Sequence, residues 1–325
     1  MRALHIAEPR RHQVIDIPVP ELHDDEVLVE VGLCATCTQW DITTWSGVDI
    51  FERPGHPEYP LPNGATGHEL VGTVVRAGPA VTSLQEGDLV AYWGNPAAPR
   101  VPATGGYAEF HAASAQSYVR YPAGTPPTTA ALTELMTCLA SAVFRTGDIT
   151  GKRVGVSGLG PAGLMAIQAL KARGAAEVLA FDLVPERIAL AIELGADGGM
   201  VPGSSEWEAL LPRDRQLDVA VDCIGVAPSV IGLMRITREQ VVVFGVPHGE
   251  IRFGMEAWGK GLRLEGCGPR VAEGARYAAH VLGTGQVKVD RFIEHILPLE
   301  RYDEGVQMLI DKQAIKVAFD PRLPG

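Results

Sequence analysis

The chain has 325 residues, 46% apolar and 21% charged, with a formal net charge of −11. That length allows about two domains and a substantial core, and the acidic balance, with Lys and Arg unclustered, argues against nucleic acid or an anionic membrane as partner. No apolar run is long enough to span a bilayer, the opening MRALHIAEPRRHQ has no h-region, which speaks against a signal peptide, and the sparse cysteines Cys34, Cys37, Cys138, Cys223 and Cys267 fit a reducing cytoplasm better than a disulfide framework.

Residues 1–31 read as strands punctuated by proline, with Val27, Val29 and Val31 on one strand face. GLCATCTQWD (32–41) follows. The segment from there to Gly67 is dense in proline and glycine and reads as largely loop. Its aromatic residues Trp40, Trp45, Phe51 and Tyr59 suit either loop packing or the lining of a substrate pocket. GHELVGTVVRAG (67–78), LVAYW (89–93) and residues 107–121 return to strand-like text, so the first third is expected to be an antiparallel β domain with irregular excursions. Residues 128–146 change character: Ala131, Leu135, Leu139 and Val143 recur at helical spacing.

Lys152 to Asp182 reads as strand, tight turn, helix, strand. Val154 and Val156 precede Gly158-Leu159-Gly160-Pro161-Ala162-Gly163, a G-x-G-x-x-G run, and Leu164, Ile167 and Leu170 then recur at helical spacing until Gly174. The first glycine permits the turn, the second lets backbone approach a pyrophosphate, and the third lets helix and strand pack closely. The helix N-terminus supplies free N–H groups and the positive dipole end. Asp182 follows about 20 residues on, where a carboxylate accepts from an adenosine ribose and repels a 2′-phosphate, so NAD is favoured over NADP. Pro185 opens another helix through Ile188 and Ile192. LDVAVDC (217–223), VVVFG (241–245) and RLEGC (263–267) then alternate with helical text, which predicts a parallel sheet with helices on both faces. A helix is expected over 272–283 and another around Asp303–Leu309.

Cys34, His68, Glu69 and Glu134 offer thiolate, imidazole and carboxylate, a reasonable set for a catalytic zinc with one open position. Each also has an ordinary reading: buried small hydrophobe, satisfied polar residue, exposed acid. Cys34-x-x-Cys37 lacks the second pair of a structural zinc site and has no thioredoxin-like context.

On VEVGLCAT (29–36), GHELVGTVVRAG (67–78), GDLVAY (87–92), GGYAEF (105–110), the Glu134 region, GLGPAGL (158–164), D-x-x-x-x-R (182–187), LGAD (194–197), FGVP (244–247) and IKVAF (315–319), the chain resembles, end to end, the zinc-dependent medium-chain dehydrogenase/reductase family of alcohol and polyol dehydrogenases. The resemblance implies an α/β architecture: a β-rich GroES-like catalytic domain (1–134 and 269–325) and a doubly wound Rossmann NAD-binding domain (135–268), with the site in the cleft between them. It implies Cys34, His68 and Glu134 as ligands of one catalytic zinc, with Glu69 ligating or just outside. Thr36 would pass on the alcohol's proton, Asp182 and Arg187 would surround the adenosine ribose, and Lys316 would lie near the pyrophosphate. The expected reaction is reversible hydride transfer between an alcohol, polyols included, and NAD. The substrate is a small alcohol or carbonyl compound, and a homodimer or homotetramer is expected from the family's habit. Three departures stand out: Cys37 where an Asp is usual, Gln39 where many members have a histidine, and no cysteine in residues 93–106, so no structural-zinc lobe. Two alternatives remain, a zinc-independent NADPH quinone or enoyl reductase of the same fold and a non-catalytic dinucleotide-binding protein.

Overall fold

The structure is a computed structural model that describes residues 1–325. In chain order the elements are β1 (Arg2–Glu8), β2 (Arg11–Asp16), β3 (Glu26–Ala35), α1 (Thr38–Trp45), β4 (Glu69–Ala77), β5 (Leu89–Tyr92), β6 (Phe110–Ser114) and β7 (Tyr118–Tyr121). Then come α2 (Pro127–Ala130), α3 (Thr133–Arg145), β8 (Arg153–Ser157), α4 (Pro161–Ala172), β9 (Glu177–Phe181), α5 (Pro185–Glu193), β10 (Gly198–Met200), α6 (Ser205–Glu208) and β11 (Leu217–Asp222). The chain closes with α7 (Ala227–Ile236), β12 (Thr237–Val243), α8 (Met255–Lys260), β13 (Arg263–Gly266), α9 (Ala272–Gly283), β14 (Ile293–Leu297), α10 (Tyr302–Ile310) and β15 (Lys316–Phe319). No helix is long and apolar enough to cross a membrane.

The chain forms two compact units, one of residues 1–137, 270–284 and 289–325, the other of 138–269 and 285–288. In the first, β3 is the hub. It pairs antiparallel with β4, β6 and β15 in a seven-stranded sheet ordered β14-β15-β3-β4-β5-β7. Such a central strand is covered on both faces, which is why Glu26–Val29 are all buried instead of alternating. Tyr107, Tyr302 and Phe319 meet edge-on or tilted at 5.3–5.5 Å beneath it. The stretch after Asp41, expected to be largely loop, opens on the last turn of α1. Its start is fixed by Asp41, whose Oδ2 accepts from the N–H of Cys37, the residue preceding the helix, at 2.8 Å. The helical text at 128–146 is two helices, α2 and α3, with Ala131 and Leu132 between them.

The second unit carries a six-stranded parallel sheet ordered β10-β9-β8-β11-β12-β13. Its apolar strands are covered by α4 and by a cluster in which Phe181 meets Trp207 edge-on at 4.9 Å. The order reverses between β8 and β11, so their carboxyl ends form the switch point at which doubly wound sheets bind ligands. Gly158 follows β8 there with φ +87°, and a Cβ on it would strike Ile224 at 2.4 Å.

Candidate metal centre and nucleotide turn

The pairing of β3 with β4 sets Ala35 opposite Glu69 and Cys34 opposite Leu70. Two residues past the end of β3 the chain turns into α1, and that turn brings Cys37 to His68 and Glu69. The ligand atoms of these three lie within 4.8 Å of one another. Cys34 is not in the group. It is fully buried in the core of the first unit, with Sγ 3.0 Å from where a Cβ would stand on Gly67 or Gly106. Burial, then the charges of Asp41 and Glu69, push its thiol well above the usual range and keep it protonated. The structure thus does not bring Cys34 to His68 and Glu69 as expected; Cys37, expected as a departure behind the metal, stands in the group instead.

His68 Nδ1 lies 2.7 Å from the carbonyl oxygen of Thr66. A carbonyl only accepts, so Nδ1 carries a proton and Nε2 is the ring nitrogen turned toward the cluster. Across from it, Glu134 Oε2 stands 4.0 Å from Nε2, while Oε1 accepts from Arg270 Nη1. Burial disfavours imidazolium here, but Glu134, Cys37 and Glu69 outweigh it and raise His68 to about 10. A cluster of thiol, imidazole and carboxylate side chains this close together suits a cation. The mixed thiolate, imidazole and carboxylate donors fit zinc.

Glu69 is fully buried and ion-paired. Lys316 Nζ donates to its two carboxylate oxygens at 2.7 and 2.6 Å and also to Thr36 O. The sheet order explains this, because β15, β3 and β4 are neighbours and the bridge crosses the end of β3. Burial pushes the Glu69 carboxyl up and Lys316 pulls it back. Lys316 has 1% of its side chain exposed. It is thus committed to Glu69, and the expectation of a pyrophosphate-binding lysine is not met. Thr36 is corrected too. Its hydroxyl donates to Val317 O at 2.9 Å and accepts from Val317 N at 3.1 Å, fully buried. The hydroxyl's one proton and one of its lone pairs are engaged in holding β15 to β3, deep in the core of the unit, which does not suit a residue that passes on a substrate proton.

Sequence reasoning missed Asp41. Fully buried, it accepts from Cys37 N, Tyr302 OH at 2.8 Å, Tyr107 OH at 3.0 Å and Thr66 Oγ1. It thereby ties the thiolate's backbone to the segment leading into His68. Burial raises its carboxyl pKa, and these donors, Thr66 first, hold it down. Arg270, the partner of Glu134, was also missed. A lone arginine after Pro269 gives no signal of its role.

In the second unit, Asp182 caps the turn: Oδ2 accepts from Leu159 N at 2.7 Å and Oδ1 from Val184 N at 2.9 Å. Leu159's N–H is therefore taken and is not offered to a phosphate. Arg187 is half-buried on α5. Gly163 is required by the protein itself, since a Cβ there would meet Gly158 O at 1.9 Å. Gly160 is not. It has φ −72° and ψ −172°, open to any residue, and nothing lies within 4 Å of its missing Cβ. It precedes α4 without a side-chain cap, and Pro161 has no N–H, so the free donors there belong to Ala162 and Gly163. An empty approach to a helix N-terminus fits a pyrophosphate.

Comparison with known proteins agrees. Residues 161–270 match the family described as zinc-binding dehydrogenase, and residues 23–123 match the alcohol dehydrogenase GroES-like domain. A sorbitol dehydrogenase of Bombyx mori is 26% identical over 336 residues, covering 93% of each chain. An L-threonine 3-dehydrogenase of Bacillus licheniformis is 26% identical, covering 94% of each. A crystal structure from Sinorhizobium meliloti 1021, described as a zinc-binding dehydrogenase bound to NADP, superposes with TM-score 0.86 at 25% identity over 98% of this chain and 99% of that one. With a GroES-like domain, a doubly wound parallel sheet and relatives along almost its whole length, the chain belongs to the zinc-type medium-chain dehydrogenase/reductase family.

Proposed function

We propose that this protein is a zinc-dependent oxidoreductase that interconverts an alcohol and its ketone or aldehyde, with NAD as hydride acceptor. The observation that carries this reading is the convergence of Cys37, His68 and Glu69, with His68 Nε2 turned into the group. Those residues would hold the metal, with Glu134 opposite. A zinc ion there supplies Lewis-acid polarisation of a substrate oxygen, and a nicotinamide dinucleotide supplies the hydride acceptor. The protein's own contribution is positional. Thr66 O fixes the orientation of the His68 ring, Asp41 fixes the backbone of Cys37, and Lys316 holds the Glu69 carboxyl in place and offsets part of its burial. The preference for NAD rests on Asp182, whose carboxylate at the end of β9 is unfavourable to a 2′-phosphate; the relative from Sinorhizobium meliloti carries NADP. No disulfide joins any of the five cysteines, which supports action in a reducing compartment such as the cytoplasm.

The test separates the two cysteines. Zinc per chain, measured by atomic emission on dialysed protein, is expected to fall from about one to well below half in Cys37→Ser and His68→Ala, together with oxidation of an alcohol panel. Cys34→Ala is expected to keep its zinc and to lose only about 1 kcal/mol of stability, the loss for a small core deletion. Zinc lost with Cys34 and kept with Cys37→Ser refutes the assignment. Comparing kcat/KM for NAD and NADP settles the cofactor.

A further inference from the structure

One flank of the ligand cluster is aromatic. Because α1 begins directly after Cys37, its third residue, Trp40, is carried over His68, with ring centroids 5.9 Å apart and edge to face. Phe51, from the following loop, stands 5.6 Å beyond Trp40 in the same geometry. The other aromatics of this stretch do different work: Trp45 is in the core, and the Tyr59 hydroxyl is bound to Thr44 O. Phe51 is 51% exposed. A single open phenyl ring is ordinary on a protein surface. This one is the outer end of a continuous aromatic face that starts at a candidate ligand histidine. Its other neighbour is Arg53, 5.4 Å from the ring centroid. That guanidinium is closed on Asp49, donating at 3.0 Å through Nε and 2.8 Å through Nη2. The loop thus presents rings beside the cluster, with its nearest charged pair already satisfied.

Resting on the dehydrogenase reading above, we propose that Trp40 and Phe51 are the specificity wall for the group attached to the carbinol carbon, and that the preferred substrates are alcohols bearing an aryl or similarly flat apolar substituent, not polyols. An aryl group gains offset or edge-to-face contact with both rings, each such pair contributing beyond its buried area. The extra hydroxyls of a polyol would be pressed against ring faces that offer no hydrogen bond, and a hydroxyl buried without a partner is disfavoured. The wall leaves the reacting oxygen untouched, so it selects among alcohols without entering the chemistry.

The experiment pairs binding with turnover on zinc-loaded protein, using 1-phenylethanol, sorbitol and ethanol. Saturation-transfer NMR is expected to show the phenyl protons of 1-phenylethanol receiving saturation, and sorbitol none. The phenyl signal is expected to be lost in Phe51→Ala, an exposed position whose change leaves the fold intact, and in Trp40→Ala. In turnover with NAD, Phe51→Ala is expected to lower kcat/KM for 1-phenylethanol about tenfold, equivalent to about 1.4 kcal/mol, through KM, with less than about a twofold change for ethanol. The proposal is overturned if sorbitol is the better substrate, if Phe51→Ala lowers all three alcohols alike, or if the phenyl signal survives the substitution. If no alcohol is oxidised with either nicotinamide cofactor, the dehydrogenase reading falls, and the NMR result alone decides whether the wall binds aryl groups.

Discussion

Lys316 and Glu69 are the most consequential pair at the residue scale. Each side chain is 1% exposed, and two charges so placed are stable only as a pair, because each alone would sit desolvated without a counter-charge. Lys316→Met should therefore cost about 3–5 kcal/mol in urea denaturation, the range for breaking a buried ion pair. Adding Glu69→Gln should recover much of that, although the double variant should bind zinc more weakly. A Lys316→Met protein as stable as the parent would show that Glu69 is neutral in the native state. The cysteines show what a sequence conceals at this scale. Cys34 and Cys37 share one C-x-x-C run, and residue type does not say which one reaches His68. Strand periodicity ends at Ala35 and a helix begins at Thr38. Only the position of that break turns Cys37 into the group and leaves Cys34 in the core. Likewise Thr36 and Lys316 were identifiable as matching a motif, but their partners, Val317 and Glu69, are set by the β15-β3-β4 order, which local text does not carry.

Elements with strong local patterns were legible: the glycine turn with α4, the apolar strands β8, β11 and β12, and α9. α1 was not, since its short polar sequence has neither an apolar stripe nor a Ser, Thr, Asp or Asn cap, and its start is set by Asp41 reaching back to Cys37 N. The glycine turn gives a prediction that separates fold from ligand. Gly163→Ala should destabilise by about 1–3 kcal/mol, because a Cβ cannot share space with Gly158 O. Gly160→Ala meets no protein atom and should cost under about 1 kcal/mol as a poorer cap, yet weaken NADH binding at least tenfold in fluorescence titration. Equal NADH affinity in Gly160→Ala would mean that no pyrophosphate lies there. A second prediction comes from β6 and β7. His111 is 2% exposed, with Nδ1 2.6 Å from Tyr118 OH, and burial lowers its pKa to about 4 from an ordinary 6.5. The unfolded chain takes up this proton first, so the contribution is complete above about pH 6.5 and is lost as pH falls toward 4, about 3 kcal/mol in all. Stability measured against pH should show that acid limb in the parent and a flatter one in His111→Gln. Identical limbs would assign the acid sensitivity to other groups.

Across the whole molecule, the candidate metal cluster and the glycine turn belong to different units of the chain. Cys37, His68, Glu69 and Glu134 lie in residues 1–137, and the turn from Gly158 to Gly163, with Asp182, in residues 138–269. The two motifs were legible in the sequence because each is local, whereas the candidate cluster was only partly legible because it is assembled from three separated segments. The second consequence is stoichiometric. One group of side chains stands close enough together to ligate a metal, and residues 93–106 supply no cysteine for another, so the chain should carry one zinc. A ligand that binds only the native state stabilises by mass action, about 2.7 kcal/mol at a free concentration one hundred times Kd. Chelation should therefore lower the melting temperature, and NADH should raise it by acting elsewhere in the chain. Hydrogen exchange read by mass spectrometry can place the two effects. Chelation should speed exchange in peptides covering 33–45 and 66–72 and leave 153–182 unchanged, while NADH should slow 153–182. If chelation loosens 153–182 as much as 33–45, the metal stabilises the nucleotide unit as well, and the ligand set drawn from the first unit alone is incomplete.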